Sequence, residues 1–339
     1  MIDWTSDESH VLLNPRMPAE ERERLERAVP QWKRTVFVAT SGTTGALKLV
    51  ALTKDAILAS AAAVNDRLEA TSRDVWCRVL PAFHVAGLGI HARAFLTGSR
   101  VIEMAWDVDA FVNCGATLAS LVPAQVHDLV RGERRAASGM RQILVGGGAF
   151  DRDLQTRARE LGWPVLSTYG MSECASTVTV EDVLLSHLKA RQEPDGRIAL
   201  AGSSLFKAYV LADGTVADPK VDGWFVSEDF GHVDGRVVWI RGRAIDFVKI
   251  GGESADLNRL DAILNSVRGE ADAAIVAVPD PRLGHVIHLA ATSDPAAIVT
   301  AFNAKVAPFE RIRGTHRVSR IPRSSLGKLL RRELTKILE

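Results

Sequence analysis

Along the first half of the chain, short apolar runs of strand length alternate with longer stretches of helical spacing. Runs at 35–39, 75–80, 101–104, 142–145 and 164–167 predict strands; the apolar run 116–122 ends at Pro123. Segments at 18–29, 53–70, 87–96, 124–131 and 151–161 predict helices. Their punctuation fits: Pro18 stands near the start of one, Thr53 opens another, and Thr97-Gly98 stops a third. Strands alternating with helices predict an α/β domain with a largely parallel sheet.

Past residue 195 the period changes. Short strand candidates at 197–201, 206–211, 224–227 and 237–240 are separated by Gly/Asp turns, with Asp213-Gly214 as a hairpin signal. This predicts a small β subdomain over about 195–241. A break follows at Arg241-Gly242-Arg243. Beyond it come a helix (256–268), strands (273–278 and 286–292), a helix (295–305) and a basic tail. The expected organisation is α/β: a large N-terminal domain, 1–241, with mainly parallel sheets plus the small β subdomain, and a small α+β C-terminal domain, 242–339. No internal repeat or low-complexity segment interrupts it.

Composition narrows the function classes. Over 339 residues, Lys plus Arg is 42 and Asp plus Glu is 41, a net charge of +1. That balance gives no reason to expect a nucleic acid or membrane-surface partner. No apolar run approaches the roughly 18 residues that span a bilayer. The acidic start Met1-Ile2-Asp3-Trp4 lacks a signal-peptide pattern. Cys77, Cys114 and Cys174 are odd in number and widely spaced, as expected of free, mostly buried thiols in a reducing cytoplasm. His285 and His288 lie three apart on a predicted strand and so face opposite sides, which disfavours shared metal ligation.

The densest chemistry lies at Thr40-Ser41-Gly42-Thr43-Thr44-Gly45-Ala46-Leu47-Lys48. Glycines let backbone N–H groups approach an anion, hydroxyls donate, and Lys48 adds positive charge. The loop is expected to leave a sheet edge-on. It is not a P-loop, which needs four residues between its glycines; two separate Gly42 from Gly45. A flexible linker is the bland alternative, but apolar segments flank this stretch on both sides. Four later segments also place polar groups where a core would not: Tyr169-Gly170-Met171-Ser172-Glu173, Ser227-Glu228-Asp229 after Gly223-Trp224-Phe225, Gly242-Arg243, and Pro322-Arg323-Ser324-Ser325-Leu326-Gly327-Lys328.

Taken in order, these segments resemble the adenylate-forming superfamily of acyl-CoA synthetases, peptide-synthetase adenylation domains and luciferases. The superfamily's Thr-Ser-Gly-Thr-Thr-Gly-x-Pro-Lys matches 40–48, with Leu47 for proline. Tyr-Gly-x-Thr-Glu matches 169–173 with Ser172 as the hydroxyl. Gly-Trp-Phe-x-Thr-Gly-Asp matches 223–229 with Ser227 and Glu228 substituted. Gly-Arg-x-x-Asp matches 242–246, and Pro-x-x-x-x-Gly-Lys matches 322–328. Within the superfamily, the segments 80–90, 116–125 and 169–178 are similar to the o-succinylbenzoate–CoA ligases of menaquinone synthesis. Most superfamily members carry a longer N-terminal region, so an N-terminal subdomain is expected to be reduced here.

The resemblance implies a ligase that uses ATP, Mg²⁺ and CoA. A carboxylic acid attacks the α-phosphorus of ATP, giving acyl-AMP and pyrophosphate; the CoA thiol then takes the acyl group. It implies that Thr40, Ser41, Gly42, Thr43, Thr44, Gly45 and Lys48 hold the phosphates. Gly147, Gly148, Ala149, Thr168, Tyr169, Gly170, Met171 and Ser172 line the nucleotide, and Asp229 and Arg243 meet the ribose. Glu173 is the expected metal ligand and Lys328 the expected catalytic lysine. His84, Arg93, Gly147 and Ser176 are expected at the acid, His84 also among the catalytic residues. Ile245 and Asp246 belong to a hinge on which the C-terminal domain is expected to move, and Lys249, Gly251 and Gly252 face CoA. Leu47 in the proline position removes a φ restraint, so the 40–48 loop is expected to be mobile.

Each residue has a plainer role to set beside this. Lys328 is otherwise a solvated charge, Glu173 a helix cap, His84 a core histidine and Arg93 a surface arginine. Three functions stay open: a CoA ligase for o-succinylbenzoate, an adenylating enzyme for another aryl or short acyl acid with either CoA or a carrier protein as acceptor, and a non-catalytic AMP-binding scaffold. A cytoplasmic enzyme is expected, with a homodimer admitted as its oligomeric state.

Overall fold

A computed structural model describes residues 2–41, 47–148, 150–243, 247–250, 253–280, 282–324, 327 and 329–338. The chain divides into two compact units, Met1–Ser227 with Gly231–Ile240, and Glu228–Phe230 with Arg241–Glu339.

In the first unit, five parallel strands run in the order Val165–Met171, Gln142–Val145, Leu118–Leu121, Val75–Arg78 and Arg100–Glu103. Successive residues point to opposite faces of this sheet. Trp76, Leu118 and Leu144 enter a core with Ala63, Val64, Leu68, Ile90 and Ala94 of helices Lys54–Leu68 and Val85–Thr97. Cys77, Ala119, Ile143 and Val145 enter another with Phe111, Val126, Leu129 and Ala158, on helices Val108–Asn113, Pro123–Arg131 and Arg152–Glu160. Both faces are covered, which explains why these strands read as continuous apolar runs. Side-chain caps set the helix starts: Thr53 accepts from Ala56 N at 3.0 Å and Asp151 from Leu154 N at 2.8 Å.

The sheet continues beyond Val165–Met171 as antiparallel strands, from Ser176–Val180 to the edge strand Leu188–Gln192, eleven strands in all among the described residues. Strands of the 195–241 region are shared between two sheets. Arg197–Gly202, Phe225–Asp234 and Val237–Arg243 extend the eleven-stranded sheet, while Ala208–Leu211 and Val216–Ala217 join a five-stranded one. The Asp213-Gly214 hairpin forms as its sequence predicts, with Gly214 at φ +86°.

The five-stranded sheet changes one expectation. Thr35–Ser41, read among the strands of the parallel sheet, joins a separate mixed sheet: it runs parallel to His10–Leu12 and antiparallel to Leu47–Thr53, with Thr40 opposite Lys48. Thr40 and Ser41 therefore end one strand of an antiparallel pair, and Leu47-Lys48-Leu49-Val50 begins the other. The loop's central residues 42–46, and with them its expected mobility, lie outside the described residues. Helix Val108–Asn113 and strands Ser176–Val180, Val183–Leu184 and Leu188–Gln192 have no counterpart in the sequence reading.

In the second unit, Glu253–Asp256, Phe247–Ile250, Gly284–Ala291 and Ala273–Asp280 form an antiparallel sheet, with Ile312–Arg317 parallel to Gly284–Ala291. Helices Leu257–Val267 and Ala296–Asn303 pack their Leu260, Leu264, Ile298 and Phe302 on one face. Helix Arg331–Leu338 packs Leu334 on the other, against Ala274, Val276 and Ala290. This is the α+β domain the sequence predicts. His285 and His288 do lie on a strand, and His288 Nδ1 meets His316 Nε2 at 2.9 Å instead.

Candidate active site

Glu173 sits in a single 3-10 turn, Ser172–Cys174, directly after strand Val165–Met171. Two contacts hold it. Its carbonyl accepts from Phe206 N at 2.8 Å, and its Oε1 accepts from the Tyr209 hydroxyl at 2.8 Å. Lys48 Nζ lies 3.5 Å from the centroid of the Tyr209 ring. The residue expected to bind phosphate and the residue expected to bind metal thus touch the same tyrosine. A half-buried carboxylate with one oxygen engaged keeps lone pairs for a hard cation, and phosphate oxygens and water complete such a shell. The donor set fits Mg²⁺, and Glu173 does not act as a helix cap.

The Tyr-Gly-Met-Ser-Glu segment lies on strand Val165–Met171 and the turn after it, rather than wholly beyond the strand. A register shift falls between Tyr169 and Gly170 where this strand pairs with Ser176–Val180. A β-carbon at residue 170 would sit well inside contact distance of the Ser176 carbonyl, so only glycine fits. On the neighbouring strand end, Thr168 Oγ1 donates to Val145 O at 3.0 Å, and Gly147 takes φ +79°. Gly147 and Gly148 are exposed there, Tyr169 is half-buried and Met171 buried.

Arg93 is not on the surface. It is 2% exposed, on helix Val85–Thr97, with its guanidinium 5.3 Å from the Trp76 ring. Nη1 donates to Ser120 Oγ at 3.2 Å and Nη2 to Thr177 Oγ1 at 3.3 Å. Its Nε has no partner, and no carboxylate lies within ion-pair distance among the described residues. Burial lowers its pKa to about 10, which leaves it charged at neutral pH. A β-carbon on Gly89 would lie 3.4 Å from Arg93 Nη2 and 3.7 Å from Ser176 Oγ, so the glycine keeps this space open. Ser176 itself is buried, with its hydroxyl 3.5 Å from that of Thr177.

His84 precedes the same helix without capping it, and its ring lies 4.6 Å from that of Phe83. Burial lowers its pKa, favouring neutral imidazole. Asp229 is buried on strand Phe225–Asp234 and Glu228 beside it is exposed. Ser227 Oγ donates to Ile198 O at 2.8 Å. Arg243 ends strand Val237–Arg243, and Lys249 lies on Phe247–Ile250. Gly42, Thr43, Thr44, Gly45, Ala149, Ile245, Asp246, Gly251, Gly252 and Lys328 lie outside the described residues. A cavity of about 570 Å³ in the second unit, beside His316, Arg317 and Ile337, contains none of the expected site residues.

A family model described as AMP-binding enzyme matches residues 4–212. The chain belongs to the AMP-binding enzyme family. It is similar to a probable 2-succinylbenzoate–CoA ligase of Mycobacterium tuberculosis, 31% identical over 89% of this chain and 84% of that one. Among solved structures it is similar to o-succinylbenzoate CoA synthetase from Bacillus subtilis with the acyl-adenylate intermediate. That match has TM-score 0.80 and 24% identity, over 88% of this chain and 68% of the other. The same synthetase in complex with ATP and magnesium ion matches at TM-score 0.78 and 25% identity, over 88% and 69%. In this AMP-binding enzyme, the sequence reading missed Tyr209, Ser120 and Thr177. Tyr209 carried a signal, since it and Tyr169 are the only two tyrosines in the chain.

Proposed function

We propose that this chain is an ATP-dependent acid–thiol ligase that adenylates o-succinylbenzoate and passes the acyl group to CoA. Arg93 carries the reading. A buried guanidinium held by two hydroxyls, with no counter-ion among the described residues, suits a substrate bearing a second carboxylate. The names and structures of the relatives support the same acid.

In the first half-reaction a carboxylate oxygen attacks the α-phosphorus and the bond to the β-phosphate breaks. Charge builds on phosphate oxygens, so the protein's task is alignment and electrostatic stabilisation. Lys48 and the 40–45 loop hold the β- and γ-phosphates, and Lys328 draws the attacking carboxylate to the α-phosphate. Glu173 would hold Mg²⁺, which when bound neutralises phosphate charge. Asp229 and Arg243 take the ribose hydroxyls, and Gly147, Gly148 and Ala149 flank the adenine and acyl groups. In the second half-reaction the CoA sulfur attacks the acyl carbon and AMP leaves. The 241–246 segment is assigned as the hinge between the two steps and the 249–253 loop to CoA. Neutral His84 lines the acyl pocket without adding a charge that competes with Arg93. Cytoplasmic location and a homodimer complete the proposal.

Pyrophosphate release with a panel of carboxylic acids, with and without CoA, tests this. Release greatest with o-succinylbenzoate, and a CoA-dependent thioester, are expected. Release with no thioester, or preference for a monocarboxylic acid, overturns it.

A further inference from the structure

We propose that Tyr209 is a positioning residue for divalent-cation binding, setting the Glu173 carboxylate while its ring carries the Lys48 ammonium. The inference rests on the adenylate-forming reading and deepens it. Tyr209 lies on strand Ala208–Leu211, which pairs antiparallel with Leu47–Thr53 so that Tyr209 faces Val50 and Leu211 faces Lys48. Residues 48 and 50 share a face, as do 209 and 211. Lys48 is therefore the diagonal neighbour of Tyr209, a spacing that a long side chain spans. Hence its Nζ rests 3.5 Å from the ring centroid.

The ring is fixed from its other neighbours. Phe206 lies 4.6 Å away, itself buried against Phe225 in an edge contact at 5.1 Å. Phe206 N donates to the Glu173 carbonyl, so one short segment grips both the backbone and the carboxylate of Glu173. With Phe206 and the Lys48 ammonium against its ring, Tyr209 donates its hydroxyl to Glu173 Oε1 at 2.8 Å.

Two consequences follow for the carboxylate. Its rotamer is set before a cation arrives, and Oε2 keeps its lone pairs for the cation. A donor that orients a metal ligand in this way typically affects metal affinity by about 10- to 100-fold. The phenol also makes the carboxylate sense the strand pair that bears Lys48, because a shift of either strand moves the ring.

Tyr209→Phe keeps the ring and removes the hydroxyl; Tyr209→Leu removes both contacts. Mn²⁺ binding to the full-length enzyme with a non-hydrolysable ATP analogue, followed by electron paramagnetic resonance, reads the cation directly. Mg²⁺ dependence of pyrophosphate release, the KM for ATP and thioester formation from supplied acyl-AMP are measured alongside. For Tyr209→Phe we expect Mn²⁺ affinity to fall about 10-fold or more, with an unchanged KM for the acid and unchanged thioesterification. Tyr209→Leu is expected to raise the KM for ATP as well. Mn²⁺ affinity within twofold of the parent in Tyr209→Phe overturns the proposal, as does an equal loss in thioesterification. If the parent enzyme releases no pyrophosphate with any acid, the adenylate-forming reading itself fails, a distinct result.

Discussion

Nη2 of Arg93 donates to Oγ1 of Thr177 across a buried gap of 3.3 Å, joining helix Val85–Thr97 to strand Ser176–Val180. Neither Thr177 nor Ser120 supplies negative charge, so the fold bears the cost of a buried cation itself. Such a residue is worth more to a ligand than to the fold. Arg93→Met is expected to leave the denaturation midpoint unchanged or raised, because an apolar side chain of similar reach removes the uncompensated charge. The same variant should raise the KM for a dicarboxylic acid by about 10- to 100-fold, the equivalent of about 1.5–3 kcal/mol for a charged hydrogen bond. Its KM for a monocarboxylic acid should change little. Equal effects on both acids would remove Arg93 from the acid site.

Lys328 is assigned to one half-reaction only. Lys328→Ala is expected to slow pyrophosphate release by several orders of magnitude while thioester formation from supplied acyl-AMP survives. The flanking sequence is well anchored in the second unit: Arg323 pairs with Asp272 at 2.8 Å, and Arg331 Nη1 donates to Ile275 O at 2.9 Å and pairs with Asp261. Loss of both half-reactions together would show that one arrangement of residues serves both steps.

The parts of this fold legible in the sequence are those with local causes. Thr53 and Asp151 announce their helices because a cap acts within a few residues. The parallel strands are legible because both faces are buried, which makes Ile143, Leu144 and Val145 an unbroken apolar run after Gln142. The pairing of Thr35–Ser41 with Leu47–Thr53 is obscured because the sequence between them has the composition of a nucleotide loop, and pairing of the two strands is not a local property. Tyr209 shows the limit most clearly. Its partner Glu173 lies 36 positions away, and no periodicity relates the two. Arg93 was visible as a residue type suited to a carboxylate. Its burial depends on Trp76, Ser120 and Thr177 from three different strands, and that distinguishes it from a surface arginine.

Gly170 is a steric requirement. Gly170→Ala pushes a methyl group against the Ser176 carbonyl and the Thr177 Cα, both backbone atoms that cannot rotate away. The strand pair must shift, at a cost of about 1–3 kcal/mol. Urea denaturation is expected to show a lower midpoint at unchanged slope. Because Glu173 lies three residues on, the KM for ATP should rise as well. An unchanged midpoint would mean that the bulge at Tyr169/Gly170 relaxes without cost.

His187 supplies a pH dependence of stability unconnected to catalysis. Both of its ring nitrogens are buried without a partner among the described residues, and burial pushes its pKa down to about 4. The folded state therefore holds neutral imidazole, whereas the unfolded chain takes up a proton near pH 6.5. Stability from this site is fully present above pH 6.5. It declines as pH falls, because only the unfolded state gains the proton, and it is exhausted once pH passes through about 4. The total is at most about 3 kcal/mol, reduced by residual solvent access. Urea midpoints of the parent and His187→Gln, measured at intervals from pH 7.5 to 4.5, should diverge in slope over that range, the parent losing more. Parallel curves would show that His187 protonates equally in both states.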